Sequence, residues 1–189
     1  EVNDNNSTVM LSRYNKIIEE YKDTPLAKKA LIKKLQLLYR LKKYEQVLEL
    51  SKGFDDVNKT IVKNSVLNVV KKSLSNSCNK AIKYYHEYNL SLPNSYDENL
   101  YRCAYKVRDF RIASIVCNRY ILDSNRKVAL KWLINKAKVF EATRKDKELV
   151  LIIDDICNLM KKGCYKWRYK QFFAYYRLNN SDKFLQIAS

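Results

Sequence analysis

The chain has 189 residues, of which 47% are hydrophobic and 30% are charged, and it contains only 2 Gly and 2 Pro. This composition excludes an intrinsically disordered chain and leaves few helix breakers and little β-turn chemistry, so we expect an all-α fold. The formal net charge of +17 raises the chance of an acidic partner, whether a nucleic acid, an anionic lipid or an acidic protein face. The preferred explanation of the same charge is the coding bias of an AT-rich genome. No apolar run approaches the ~18–20 residues that span a bilayer, so no membrane span is expected.

Caps and apolar periodicity predict about eleven helices and no strand. The first helix runs from Ser7 or Thr8 to Tyr21. Thr24-Pro25 then supplies an N-cap followed by Pro at the first helical position, and this second helix ends near residue 41. Asp123-Ser124 is the predicted cap of the helix that starts at residue 125. The other helices are predicted over about 44–51, 59–74, 77–88, 97–106, 110–122, 125–143, 146–163, 165–178 and 181–188.

Short blocks recur along the chain about every 34 residues. Each has the pattern expected of a helical hairpin bend, in which one helix ends and the next begins after a few polar residues. The blocks are Tyr39–Val47, Lys72–Ala81, Tyr105–Ala113, Phe140–Leu149 and Tyr176–Phe184. A fixed period in this range is typical of a solenoid, in which each helix pair buries its apolar face against the next pair. Such proteins usually work through their surface, by holding a partner.

The chain is predicted to form one solenoid over 1–189. Its predicted internal boundary is the loop 89–96, which Pro93 interrupts. Residues 1–7 lack both an initiator Met and a signal-peptide pattern, and the first helix starts as though another repeat preceded it. We therefore expect either a processed form or, in preference, a piece of a longer protein.

Two of the bends carry a more specific resemblance. Tyr44 with Val47, and Phe110 with Ala113, reproduce the spacing of the aromatic and small residues that begin the second helix of a tetratricopeptide repeat. The chain thus resembles tetratricopeptide (TPR) or Sel1-like repeat proteins over most of its length, although the early Trp-x-x-Leu-Gly of that family is missing. This resemblance implies an α-solenoid of about five to six antiparallel helix hairpins.

The opening stretch is similar to a narrower group. Residues 14–30, which begin Tyr-Asn-Lys-Ile-Ile and continue through Asp-Thr-Pro, resemble the hairpin junctions of TPR proteins from bacterial cell envelopes. The paralysed-flagella family of periplasmic motor scaffolds, from a Campylobacter-like bacterium, is one group of that kind. The resemblance implies a periplasmic location, with the cytoplasm as the alternative, and a place in an envelope assembly such as the flagellar motor.

The residues offer little catalytic chemistry. His86 is the only histidine, and nothing local places it beside a cysteine as a nucleophilic pair requires. The carboxylate pairs Glu19-Glu20, Asp55-Asp56 and Asp154-Asp155 are sequence neighbours, which on a helix point about 100° apart, and Asp55-Asp56 is interpreted as a helix cap. With so few glycines there is no phosphate-cradling loop. We expect no enzyme activity and no cofactor.

The five cysteines are interpreted as small core residues. They are Cys78, Cys103, Cys117, Cys157 and Cys164. None forms a Cys-x-x-Cys motif, so a zinc site is not expected, and their odd number argues against a disulfide-built fold. A disulfide between Cys103 and Cys117, on facing helices of one hairpin, is left open, and so is the redox compartment.

Residues 161–177 interleave cations with aromatic side chains and contain no acid. The preferred interpretation places Tyr165, Tyr169, Phe172 and Tyr176 in the core, because they share one helical face. Lys166, Lys170 and Arg177 then form the opposite, solvated face. Two alternatives stay open: a surface that grips an acidic protein segment, and a stacking platform for single-stranded nucleic acid.

A second basic face follows Lys29, Lys33 and Arg40, with Lys28, Lys42 and Lys43 nearby. It is interpreted first as a solvated helix side. Together with Lys166, Lys170 and Arg177 it supplies the candidate partner-binding residues. The expected function is a non-enzymatic scaffold or adaptor for a protein with an acidic face. The alternatives are a helical-repeat RNA-binding module and an assembly or secretion chaperone, although no base-reading side chain recurs once per hairpin.

Overall fold

The computed structural model describes residues 4–52, 59–160, 162–180 and 182–183. Over these residues the protein is all-α, with ten helices, one 3-10 turn (Asn94–Tyr96) and no strand. The helices are α1 Asp4–Glu20, α2 Pro25–Arg40, α3 Tyr44–Ser51, α4 Lys59–Asn76, α5 Cys78–Glu87, α6 Asp97–Lys106, α7 Phe110–Asn118, α8 Arg126–Ala142, α9 Asp146–Leu159 and α10 Tyr165–Arg177. The predicted all-α class is confirmed.

The chain divides into two compact units, unit 1 over Glu1–Leu92 and unit 2 over Pro93–Ser189. In unit 1, α1 packs on α2, α2 on α3 and α4, and α4 on both α3 and α5. In unit 2, α6 packs on α7, α7 on α8, α8 on α9 and α9 on α10. Each helix therefore packs mainly on its neighbours along the chain, as in a helical-repeat protein.

Each unit has an apolar core built from periodic positions. In unit 1, Leu31, Leu35 and Leu38 on α2 meet Val47 on α3, with Ile18 of α1 packed against them. These spacings of three and four residues place the leucines on one side of α2. The larger core of unit 2 joins α8, α9 and α10. Its buried members are Leu133, Ala137, Leu149, Val150, Ile152, Ile153, Ile156, Ala174 and Tyr175.

Four of the five predicted bends share one turn geometry. Each places a residue with positive φ after the first helix, and the amide of the next residue donates to a carbonyl five positions back. The positive-φ residues are Lys42 (57°), Arg108 (63°), Arg144 (56°) and Asn179 (53°). This is the Schellman-type ending of a helix. The block Lys72–Ala81 differs, because α4 continues to Asn76 and α5 starts directly after Ser77.

Local caps account for several helix starts. Thr24 accepts a hydrogen bond from the Ala27 amide (3.3 Å), with Pro25 at the first helical position, so the predicted start of α2 is confirmed. The predicted cap of α8 was wrong. Asn125, one residue beyond Asp123-Ser124, accepts from the Lys127 amide (3.0 Å).

Two helices end earlier than predicted. Helix α7 ends at Asn118 and α9 at Leu159, both four residues before the predicted ends. Met160, which follows α9, has an extended backbone (ψ 122°), so the helix does not reach Gly163. The predicted helix over 181–188 lies largely outside the described residues, and the predicted Asp55-Asp56 cap lies wholly outside them.

A buried carboxylate ties together the first three helices of unit 2. Asp97, at the start of α6, is only 1% exposed and accepts hydrogen bonds from Arg119 Nη1 (2.6 Å) and Tyr120 Oη (2.8 Å). The Tyr120 ring stacks on Trp132 of α8, with 4.9 Å between ring centroids. Burial, and next the hydrogen bond to Asp97, raises the pKa of Tyr120 to about 12, so the phenol keeps its proton at neutral pH.

We predict that Asp97→Ala lowers the free energy of unfolding by about 2–3 kcal/mol, because charge-assisted hydrogen bonds in a buried site are lost together. Glu98→Ala is the matched control, since Glu98 also pairs with a cation, Lys131 (2.7 Å), but with 70% of its side chain exposed. We expect the control to change stability by at most about 1 kcal/mol. Urea unfolding of both variants measures the difference, and equal losses would show that burial of Asp97 is unimportant.

Candidate functional site

Helix α10 is attached to the core of unit 2 by one face only. Ala174 and Tyr175 are buried there, and between them and the start of the helix lies Gln171, which is 1% exposed. The Gln171 side-chain amide donates to the Val150 carbonyl (2.8 Å) and to Asp154 Oδ1 (3.0 Å) of α9. Its carbonyl oxygen accepts from Arg168 Nη1 (2.6 Å). The buried amide is therefore satisfied on both sides, as a polar group in a core must be.

The connection between α9 and α10 is held by one disulfide, by hydrogen bonds from Arg126 and by the backbone conformation of Gly163. Cys157 and Cys164 form a disulfide, with 5.3 Å between their Cα atoms. The Arg126 guanidinium donates to the Leu159 carbonyl (2.7 Å from Nε), which lies at the unsatisfied C-terminal end of α9. Gly163 has φ 84°, a conformation that favours glycine. Together these constraints fix the point at which α10 begins.

The interpretation of the cysteines as small core residues was therefore wrong for Cys157 and Cys164. Cys157 and Cys164 are paired, whereas Cys117 is a buried free thiol and forms no bridge with Cys103. Burial raises the pKa of the Cys117 thiol to about 12, so it stays protonated at neutral pH. The signal for the pair in the sequence was its short separation across the glycine-containing connection.

Three cations of α10 are held by carboxylates of α8 and α9. Lys170 donates to Glu141 (2.5 Å), and Arg168 to Asp154 (2.5 Å). Arg177 makes a bidentate pair with Asp146 at the start of α9, with distances of 2.9 and 2.5 Å. This hydrogen bond holds the pKa of the Asp146 carboxyl below its usual value of 3.8. The predicted solvated face, apart from Lys166, is thus a flank that binds neighbouring helices.

The aromatic face of α10 lies opposite the core. Tyr165 (70%), Tyr169 (65%) and Tyr176 (65%) are largely exposed, and Phe173 is 39% exposed. We call these four residues the exposed aromatic face. The prediction that Tyr165, Tyr169 and Tyr176 belong to the core was wrong, and Phe172 is only partly buried. The reason is that aromatic residues occur on nearly every side of this helix, so their spacing alone does not identify the buried side.

Lys166 differs from the other cations of α10. It is exposed beside the aromatic face, with its ammonium 5.9 Å from the centroid of the Tyr165 ring. Among the described residues it contacts no carboxylate. Residues 162–180 contain no acid that could balance it from the same segment. Of the three candidate residues predicted on this helix, Lys166 therefore keeps an uncompensated charge.

The second predicted basic face lies on α2 in unit 1. Lys29, Lys33 and Arg40 are all exposed and share one side of the helix, opposite the buried leucines. Within the described part of the chain, none of the three forms an ion pair. Leu26, which is 49% exposed, lies on the same side. Their role in partner binding stays a prediction.

Other chemistry is sparse over the residues that the structure describes. His86 is exposed on α5, and the described residues contain no cluster of three His, Cys, Asp or Glu side chains able to hold a metal ion. In the pair Asp154-Asp155, Asp154 binds Arg168 and Gln171 while Asp155 is exposed, so the two carboxylates do not share a site. None of the described helices is both long and apolar enough to cross a membrane.

No protein-family model matches this chain, and no curated protein matches it at a significant level. The function must therefore be inferred from its own surfaces. The most distinctive surface is the exposed aromatic face, since soluble proteins seldom leave several large aromatic side chains together in water without a partner.

The placement of α10 predicts a contrast between two of its tyrosines, the buried Tyr175 and the exposed Tyr169. We expect Tyr175→Ala, at 7% exposure, to lower the free energy of unfolding by about 3 kcal/mol through loss of core packing. Tyr169→Ala should change it by no more than about 0.5 kcal/mol, because most of that side chain is in water. Urea unfolding measures both. A large decrease in the free energy of unfolding of Tyr169→Ala would mean that the aromatic face is part of the core.

The Asp146–Arg177 pair predicts a pH dependence of stability. Because the pKa of Asp146 is lowered in the folded protein, the pair stabilises fully above the ordinary Asp pKa of 3.8 and is lost as pH falls through the lower folded value. In Arg177→Gln, the pKa of Asp146 should rise towards 3.8, as measured by NMR titration of its carboxyl carbon. Lys166→Gln is the control and should leave it unchanged. An unchanged pKa of Asp146 in Arg177→Gln would show that this ion pair does not help to hold α10 in place.

Proposed function

We propose that this protein is a non-enzymatic scaffold or adaptor that binds another protein through the exposed aromatic face of α10. The observation that carries the proposal is that Tyr165, Tyr169 and Phe173 point away from the core of their own unit. Tyrosine and phenylalanine supply large contact areas at low entropic cost, and they are enriched at protein interfaces. The sequential helix packing supports this role, since helical-repeat proteins usually act by holding partners.

The ion pairs favour a protein over a nucleic acid as the partner. A single-stranded nucleic acid needs cations along its phosphates as well as aromatic rings under its bases. On α10, Arg168, Lys170 and Arg177 are already bound to carboxylates. Those carboxylates also place negative charge next to any approaching phosphate. The RNA-binding alternative is therefore the less favoured one for this surface.

The finer assignment is a periplasmic envelope assembly, such as the flagellar motor. It is supported by the similarity of residues 14–30 to envelope TPR proteins and by the Cys157–Cys164 disulfide, because disulfides persist in oxidising compartments such as the periplasm. Peptide mapping of protein from its native cells tests whether the Cys157–Cys164 disulfide forms there. Unlinked Cys157 and Cys164 peptides would remove this argument for the periplasm and favour the cytoplasm.

We predict that a photo-crosslinker replacing Tyr169 captures a protein partner in native cells. The analogue p-benzoylphenylalanine keeps an aromatic side chain at the position, and its product is read as a discrete higher-mass band identified by mass spectrometry. Tyr21, directly after α1, is the matched control, because it is also an exposed tyrosine (48%) but lies in unit 1. A band common to both positions, or none at Tyr169, would contradict the proposed surface.

The basic face of α2 is tested in the same experiment. A crosslinker at Lys33 reports whether unit 1 also contacts a partner. A product at Lys33 without one at Tyr169 would move the proposed binding surface from α10 to the face of Lys29, Lys33 and Arg40. This outcome would keep the scaffold function and change only the surface that performs it.

A further inference from the structure

We propose that the partner presents to α10 an amphipathic helix whose apolar stripe is flanked by carboxylates. This inference rests on the proposed protein-binding function and specifies the chemistry of the partner. It is carried by the shape of the exposed aromatic face and by the distribution of charge along its edge.

The shape of the face suits a helix. Tyr165, Tyr169 and Phe173 follow one another at intervals of four residues and so form one continuous ridge along α10. With Tyr176 the ridge extends over about 16 Å, or roughly three turns of a helix laid beside it. Tyr169 and Phe173 meet edge to face, with 4.8 Å between centroids. A second helix can pack its own side chains into the grooves beside a ridge with this spacing.

An extended segment is a poorer fit. Adding a strand requires a sheet edge with free backbone donors and acceptors. Helix α10 uses its backbone groups internally, and no sheet exists in the described residues. A partner on this face must therefore bind through side chains, and an amphipathic helix presents those at matching intervals.

The positive charge beside the exposed aromatic face favours acidic residues at the flanks of the partner helix. Lys166 is the exposed cation beside the face that contacts no carboxylate in the described residues. Lys170 and Arg177 lie on the same flank, but Glu141 and Asp146 already balance them. A partner helix with flanking acids gains an ion pair with Lys166, whereas one with flanking Lys or Arg is repelled. A second copy of this chain is disfavoured for the same reason, since each copy carries a net charge of +17.

The test uses two synthetic helical peptides of about 18 residues, long enough to fold on contact. Both carry the same leucine stripe, and they differ only in having Glu or Lys as flanking residues. Binding to the full chain is measured by fluorescence anisotropy at about 0.15 M salt, where distant charges are screened. We expect the Glu-flanked peptide to bind at least about tenfold more tightly than the Lys-flanked one.

Three variants locate the binding. Tyr169→Ala should lower the affinity for the Glu-flanked peptide about tenfold by removing a large aromatic contact. Lys166→Glu should lower the same affinity about fivefold. Lys106→Glu is the matched control, because it makes the same charge change at an exposed position on α6, which packs mainly on α7. We expect the control to alter affinity by less than about twofold.

Several outcomes would overturn this inference. Equal affinities for the two peptides, or equal effects of Lys166→Glu and Lys106→Glu, would show that no specific acid–lysine contact is made. Displacement of the Glu-flanked peptide by a poly-dT oligonucleotide would assign the face to nucleic acid. Failure of both peptides to bind would reject the acidic helix. The crosslinking at Tyr169 remains a separate measurement, so a failed partner class is distinguishable from a failed surface.

Discussion

The orientation of α10 depends on the hydrogen bonds of one buried amide. Gln171 is satisfied only when its side chain faces Val150 and Asp154 on α9, with Arg168 closing the network from α10 itself. Rotating the helix by one residue, about 100°, would bury an aromatic ring and leave this amide in water or unpaired. Because an unsatisfied buried polar group costs about 1–3 kcal/mol, the polar network selects one rotation among several with similar apolar content. The exposed aromatic face is a consequence of that choice.

This dependence explains which features were predictable from the sequence. The bends at Lys42, Arg108, Arg144 and Asn179 are local events, so a recurring pattern of apolar and polar residues was enough to locate them. The start of α2 is likewise set by Thr24 and its neighbour Pro25. The buried side of α10 is set by residues in other helices. Neither the spacing of its aromatics nor the exposure of its cations indicated that Gln171 would be in the core and Tyr165 in water.

The same distinction between local and distant causes applies to the candidate binding residues. Lys170 and Arg177 looked equivalent to Lys166 in the sequence, since all three lie on one side of the same helix. The structure separates them, because Glu141 and Asp146 come from α8 and α9 and lie within reach of only two. On α2 no such carboxylate reaches Lys29, Lys33 or Arg40 in the described residues, so the whole predicted face keeps its charge.

Uncompensated charge is thus present both on α2 and at Lys166 of α10, whereas the large aromatic contact area is on α10. Under the proposed function, the uncompensated cations of α2 would attract an acidic partner at long range, an effect that mainly raises the association rate and weakens as salt is added. The aromatic face of α10 would act only on contact, and its contribution would appear in the dissociation rate because desolvated aromatic contacts must be broken. If the proposed scaffold function is correct, the association rate of a partner should depend on ionic strength, while its dissociation rate should scarcely do so. Measuring the two rates separately would therefore assign each surface its own part in recognition.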